Sequence, residues 1–304
     1  MDQLVSTEWL EHEMGEPDVR ILDCTVFLRS PEPSVGSSPR AAYRAEPGRP
    51  EWEAGHIPHS GFCDQVVALS DQESPLTFTA LAPEQLAAAF EAMGIGADTR
   101  VVLYDRLFNM WATRVWWLLR SIGFDNAAVL DGGWSAWTTD GRPTSISADP
   151  GSRIPVSPLV MQPRPGLLVA AEDVVRAGED AETCLINALS PELHGGSDAR
   201  YGRPGHIPGS ANVYAVDLVD PTTHRYRPLD ELRTKFVDAG ALPPTSGGEA
   251  PSRVITWCGG GIAATSDAFI LTMLGLSDVA VYDGSLSDWI ARDLPLTNPQ
   301  TTNS

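Results

Sequence analysis

The sequence predicts an α/β protein made of two tandem copies of one domain, each a mainly parallel sheet flanked by helices. Three observations carry this. Short apolar runs alternate with helical stretches, the pattern of parallel sheets covered by helices. Landmarks recur at a nearly constant spacing: the tetrapeptide G-H-I-P places His56 and His206 150 residues apart, and Trp137 and Trp289 stand 152 apart, as a duplicated domain requires. The chain, at 304 residues with 42% hydrophobic content and nine tryptophans, is long and apolar enough for two ordinary cores.

In the first copy, Ser6 caps a short helix carrying Trp9 and Leu10 and closed by Gly15, and Val19 to Leu22 is a strand ending at Asp23. Residues 30–50, rich in Pro, Ser, Gly and Arg, are expected to form a surface loop long enough to cover a site. Gly61 to Val67 is expected as a strand. Pro83 opens a helix stopped by Gly94. Val101 to Tyr104 is a strand ending at Asp105, Met110 to Ile122 a helix, and Ala127 to Leu130 a strand. Asp131-Gly132-Gly133 then turns into a helix with Trp134 and Trp137. Residues 144–165, proline-rich and aperiodic, are expected as a linker, giving domains at 1–143 and 166–304.

The second copy repeats much of this order. Glu172 to Ala177 is a helix, Cys184 to Asn187 a strand, and Leu229 to Ala239 a helix. Arg253 to Trp257 is a strand ending on Cys258, which leads through Gly259, Gly260 and Gly261 into an apolar helix closed by Gly275. Val279 to Tyr282 and a helix with Trp289 complete it. Asp105 and Cys258 are 153 residues apart, so the copies differ where a loop leaves the carboxyl end of a strand, the place where ligands collect in such sheets.

The formal charge of −19 argues against nucleic acid or an anionic membrane as partner, since neither attracts an acidic protein. No apolar run is long enough to span a bilayer, and the acidic start Met1, Asp2, Gln3 has no signal-like core. A cytoplasmic location is therefore expected. The four cysteines, Cys24, Cys63, Cys184 and Cys258, form no C-x-x-C pair, which suggests neither a zinc site nor a disulfide scaffold. Three lie in or beside apolar runs and are expected to be buried hydrophobes. Cys258 is set among glycines whose N–H groups can turn inward, ahead of a helix whose dipole adds positive potential. That loop is suited to hold negative charge and matches the setting of reactive thiols.

Both G-H-I-P segments, Arg114-Val115-Trp116-Trp117, Asp131-Gly132-Gly133, the loop from Cys258 to Ala263, and Tyr282-Asp283-Gly284-Ser285 with Trp289 together resemble a two-domain rhodanese. That sulfurtransferase family includes thiosulfate and 3-mercaptopyruvate sulfurtransferases, and the likeness covers nearly the whole chain. It implies two rhodanese-like domains, an inactive first copy with Asp105 at the cysteine position, and a catalytic second copy. It also implies a Cys258 persulfide formed from a small anionic sulfur donor and passed to cyanide, a thiol or a protein thiol, with no metal or organic cofactor. Gly259, Gly260, Gly261, Ile262 and Ala263 would form the binding loop. Being neutral, this loop is similar to the mercaptopyruvate type, although Gly260 and Ala263 stand where that type carries serine and threonine.

Leu189 and Leu193 occupy places where the family carries donor-binding arginines, and Arg200 and Arg203 are the nearby candidates to replace them. The resemblance makes His56 a cleft residue and His206 a turn-shaping one, and Arg114 either pairs with a carboxylate or reaches the cleft. Two other readings follow from the same domain. Phosphatases that use C-x5-R would need an arginine where Ala264 stands. A persulfide carrier or protein-binding module would suit a loop without arginine or serine.

Overall fold

The computed structural model describes residues 1–29, 43–146 and 157–300. These fall into two compact units, one comprising residues 1–27, 46–146, 157–165 and 219–226, the other residues 28–29, 43–45, 166–218 and 227–300.

The first unit is built on β1 (Leu4–Val5), α1 (Thr7–Glu13) and β2 (Val19–Asp23). The Ser6 hydroxyl accepts the Trp9 amide at 3.1 Å, satisfying one of the free N–H groups at the helix start. β3 (Val26–Arg29) and β4 (Arg44–Pro47) pair as a two-stranded ribbon. Then follow α2 (Arg49–Ala54), β5 (Ser60–Phe62), α3 (Gln65–Ala68), α4 (Pro83–Ala92), β6 (Arg100–Tyr104), α5 (Met110–Ser121), β7 (Ala127–Leu130) and α6 (Gly133–Thr139). The main sheet is parallel in the order β1-β7-β6-β2-β5. Its core joins Ile21, Val102, Tyr104, Ala128, Leu130 and Trp137. Gly123, at φ +91°, lies so close to Gln162 that a Cβ would fall 2.5 Å from its carbonyl oxygen, which a side chain could not tolerate.

The second unit contains β8 (Leu168–Val169), α7 (Ala171–Ala177), β9 (Thr183–Asn187), α8 (Pro191–His194), β10 (Ser210–Asn212) and α9 (Leu229–Asp238). It is completed by β11 (Arg253–Trp257), α10 (Ala263–Met273), β12 (Val279–Tyr282) and α11 (Ser285–Ala291). Its parallel sheet runs β10-β9-β11-β12-β8. Read from the other edge this is the first unit's order, so β11 corresponds to β6 and β12 to β7. The duplication extends to side chains. Trp137 Nε1 donates to Pro143 O and Trp289 Nε1 to Pro295 O, both at 2.7 Å.

The α/β duplication is as the sequence predicts, and several local expectations are corrected. Of the strand expected at 61–67 only residues 61–62 are extended, as the end of β5, because Asp64 accepts the Val67 amide at 3.2 Å and starts α3 instead. Of the loop expected at 30–50, residues 30–42 lie outside the described residues, while 44–47 and 49–54 form β4 and α2. Of the linker expected at 144–165, residues 147–156 lie outside the described residues. Its last part packs on the first unit: Gln162 and Arg164 donate backbone N–H groups to Ile122 O and Ser121 O at 2.8 and 2.7 Å. No helix among the described residues is long and apolar enough to cross a membrane.

Candidate active site

Cys258 follows directly on β11, the central strand of the second sheet, and its residue is only 2% exposed. The loop from Cys258 to Ile262 is held by the start of α11. Leu286 N–H donates to Cys258 O at 3.0 Å. Ser287 donates to Gly259 O through both its N–H, at 3.0 Å, and its hydroxyl, at 2.7 Å. Ser285 Oγ accepts the Cys258 and Gly261 amides, each at 3.1 Å, and donates to Tyr282 O at 2.7 Å. Gly261 sits at φ +76°, a left-handed conformation that glycine adopts without cost. It turns the chain back toward Ser285 before α10 begins.

The expectation that every amide from Gly259 to Ala263 forms one anion cradle is therefore corrected at Gly261, whose N–H is directed at Ser285. Among the described residues, the N–H groups of Gly259, Gly260, Ile262 and Ala263 donate to no protein acceptor. They lie in the loop between Cys258 and the first residue of α10, where backbone donors and the positive end of the helix dipole together favour a negatively charged sulfur or oxygen.

A tyrosine completes the loop's surroundings. Tyr201 packs on the core cluster that includes Trp257, Tyr282 and Leu286. Its hydroxyl stands 1.9 Å from where a Cβ at Gly259 would be, so Gly259 is glycine because the ring lies against its backbone. Burial first, and then the charge of the nearby Cys258, push the Tyr201 phenol well up. Tyr43 meets Tyr201 edge-on, with ring centroids 6.3 Å apart, and its hydroxyl accepts Arg200 Nη1–H at 2.6 Å.

Arg200 thus lies by the site, but its charge is matched by Asp198, which takes Nε–H at 2.7 Å and Nη2–H as well. Arg203 does not join it. Its Nη1 donates to Asp293 Oδ1 and Leu294 O at 3.1 and 3.0 Å, beyond the end of α11 opposite Ser285. Leu193 is buried and Leu189 packs on the core, so neither offers a polar group.

The first-unit candidates have other roles. The buried Asp105 carboxylate accepts four backbone amides of the following loop and helix: Leu107 (2.8 Å), Asn109 (3.2 Å), Trp111 (2.9 Å) and Ala112 (3.0 Å). At the position equivalent to Cys258, a carboxylate built into the chain thus caps the loop and helix that follow β6. Burial raises its pKa, while those four amides pull the other way. Arg114 is 2% exposed and donates to Phe78 O at 2.7 Å. His56, expected in a cleft, is 2% exposed, stacks on Trp52 at 4.2 Å between centroids, and places Nδ1 2.8 Å from Trp52 O. His206 repeats this, stacked on His194 at 3.8 Å with Nδ1 2.7 Å from His194 O. Both rings fix turns, so the contrast drawn between them is corrected. Among the described residues, no group of three or more His, Cys, Asp or Glu side chains is placed to hold a metal ion.

The model of the rhodanese-like domain matches residues 6–140 and 192–292. This chain belongs to the rhodanese-like domain family. Among its relatives, the 3-mercaptopyruvate sulfurtransferase of Escherichia coli K12 is 29% identical, over 96% of each chain. The thiosulfate sulfurtransferase of Rattus norvegicus is 29% identical over 97% of this chain and 94% of the relative. The rhodanese fold of the SseA crystal structure from Escherichia coli, in work on 3-mercaptopyruvate sulfurtransferases, matches with a TM-score of 0.72 at 28% identity. It covers 94% of this chain and 99% of that one. The anaerobic ergothioneine biosynthesis enzyme of Chlorobium limicola shares the fold, with a TM-score of 0.78 at 21% identity over 97% of this chain and 70% of its own.

Ser285, Tyr201 and Tyr43 were not among the residues expected from sequence. For Ser285 a signal exists, because Gly133 stands 152 residues earlier in the other copy. For Tyr43 there is none, since 158 residues separate it from Tyr201.

Proposed function

We propose that this rhodanese is a sulfurtransferase of the 3-mercaptopyruvate or thiosulfate type that carries sulfane sulfur on Cys258. The observation that supports this most is the set of N–H groups of Gly259, Gly260, Ile262 and Ala263, unmatched by any protein acceptor among the described residues, in the loop that joins Cys258 to α10. The relatives' names supply the reaction class.

The chemistry follows the pattern of nucleophilic catalysis. The Cys258 thiolate attacks the outer sulfur of the donor and forms an S–S bond. The donor's bond to that sulfur breaks, and the electron pair leaves with pyruvate enolate, which then takes a proton, or with sulfite. Unmatched loop amides hold the sulfur left on Cys258. Cyanide or a thiolate attacks that sulfur, and Cys258 returns as thiolate. The neutral loop and the pairing of Arg200 with Asp198 favour the carboxylate-bearing mercaptopyruvate over doubly charged thiosulfate. Steady-state rates with both donors, with cyanide as acceptor, test this. A higher kcat/KM with mercaptopyruvate is expected, and a higher value with thiosulfate would reverse the preference.

A persulfide carrier that serves a protein acceptor is the second reading, favoured by the absence of arginine and serine from the loop Gly259 to Ala263. It predicts sulfur uptake without turnover on cyanide.

A further inference from the structure

Tyr201 lies across the face of Gly259, its oxygen 1.9 Å from the Cβ position. The loop itself, from Gly259 to Ala263, carries no side-chain donor. Most polar groups around it are already engaged. Ser285 Oγ and Ser287 Oγ donate to carbonyls, Arg200 is tied to Asp198 and Tyr43, and Tyr43 Oη accepts from Arg200. Tyr201 Oη makes no hydrogen bond to the protein among the described residues. Its ring is fixed by the core cluster on one side and by Tyr43 on the other. A phenol held this firmly against the nucleophile's neighbour, with its donor unmatched, is placed to serve something that is bound there.

We propose that Tyr201 is a catalytic residue of the reaction: its O–H donates to the sulfur being transferred, first on the incoming donor and then as the outer sulfur of the Cys258 persulfide. This rests on the persulfide reading above. Persulfide formation extends Cys258 by one S–S bond of about 2 Å, bringing negative charge outward from the buried thiol toward the loop surface that Tyr201 covers. Tyr201 then supplies from a distant segment the hydroxyl that Gly260 and Ala263 do not. Gly259 is required so that the ring can come this close.

The test compares the wild-type chain with Tyr201→Phe, which keeps the ring and its packing and removes only the hydroxyl. Sulfur uptake on Cys258 from 3-mercaptopyruvate and from thiosulfate is followed by rapid mixing and mass spectrometry. Melting temperature is measured alongside. Loss of one hydrogen bond to a charged group predicts a fall of about 10- to 150-fold in the uptake rate at saturating donor. KM should move much less and the melting temperature should hold, a split that a purely structural role would not give. Wild-type and Tyr201→Phe chains taking up sulfur at equal rates would overturn the role of Tyr201 and leave the persulfide reading standing. A wild-type chain that takes up sulfur from neither donor would overturn both. Should Tyr201→Phe melt early, Tyr43→Ala serves as a control. It removes the ring that packs on Tyr201 but keeps the Tyr201 hydroxyl, and it should retain uptake. Loss of uptake equal to that of Tyr201→Phe would assign the effect to packing and overturn the proposal.

Discussion

Ser285 Oγ accepts the backbone N–H of Cys258 at 3.1 Å, and the same oxygen accepts Gly261 N–H at the same distance. One hydroxyl thereby fixes both sides of the loop's bend, from a residue held at φ +49°. Ser285→Ala leaves two buried amides without an acceptor, which should cost about 1–3 kcal/mol of stability and slow sulfur transfer at least tenfold. Ser285→Gly should be equally slow but more stable than Ser285→Ala, because glycine removes the penalty of a positive φ. Urea denaturation and donor kinetics on both variants check this. Wild-type rates in either would refute the role of Ser285.

Asp105 shows what the corresponding loop of the first unit does with a built-in anion. Four amides meet its carboxylate, so Asp105→Ala should destabilise the chain by on the order of 3 kcal/mol, from lost charge-assisted bonds and a lost helix cap. Sulfur uptake on Cys258, measured below the melting temperature, should be unchanged. A variant of normal stability that no longer took up sulfur would show instead that Asp105 serves the reaction.

Arg200 is neutralised by Asp198, an exposed pair of small energetic worth whose effect lies in local charge. Asp198→Asn frees the guanidinium and should lower KM for an anionic donor several-fold while leaving kcat nearly unchanged. An unaltered or raised KM would mean that Arg200 takes no part in donor binding.

The stacked pair of His194 and His206 gives a pH signature. Burial, and then the charge of His206, lower the His194 pKa to about 4, so the folded protein keeps this ring neutral where an unfolded chain, near 6.5, binds a proton. The stability contributed is therefore complete above pH 6.5 and is lost as pH falls through about 4, with a slope of at most about 1.4 kcal/mol per pH unit. Urea midpoints between pH 4 and 7 should fall on acidification in the wild type and be flatter in His194→Asn. Parallel curves would contradict the assignment.

Much of the architecture can be read from the sequence, because strand runs such as Val101 to Tyr104 and helices such as Met110 to Ile122 carry strong local patterns, and the duplication tests each against its copy. Two-residue edge strands at Leu4 and Leu168 carry no pattern. A strand misassigned after Gly61 shows an Asp64 cap prevailing over an apolar run. At the site, Cys258 and its glycines are marked locally, whereas Tyr43 and Tyr201 meet only through the fold. His56 misleads because its motif resembles a functional one while its ring is fixed by Trp52. Arg203 misleads because closeness in sequence does not set direction, and it points to Asp293.

The most direct measurement is the mass of the intact chain and of its Cys258 peptide after mixing with 3-mercaptopyruvate or thiosulfate, followed by addition of cyanide. One added sulfur on Cys258, removed by cyanide and absent in Cys258→Ser, is the predicted result. No added sulfur with either donor, or transfer that persists in Cys258→Ser, would contradict the account.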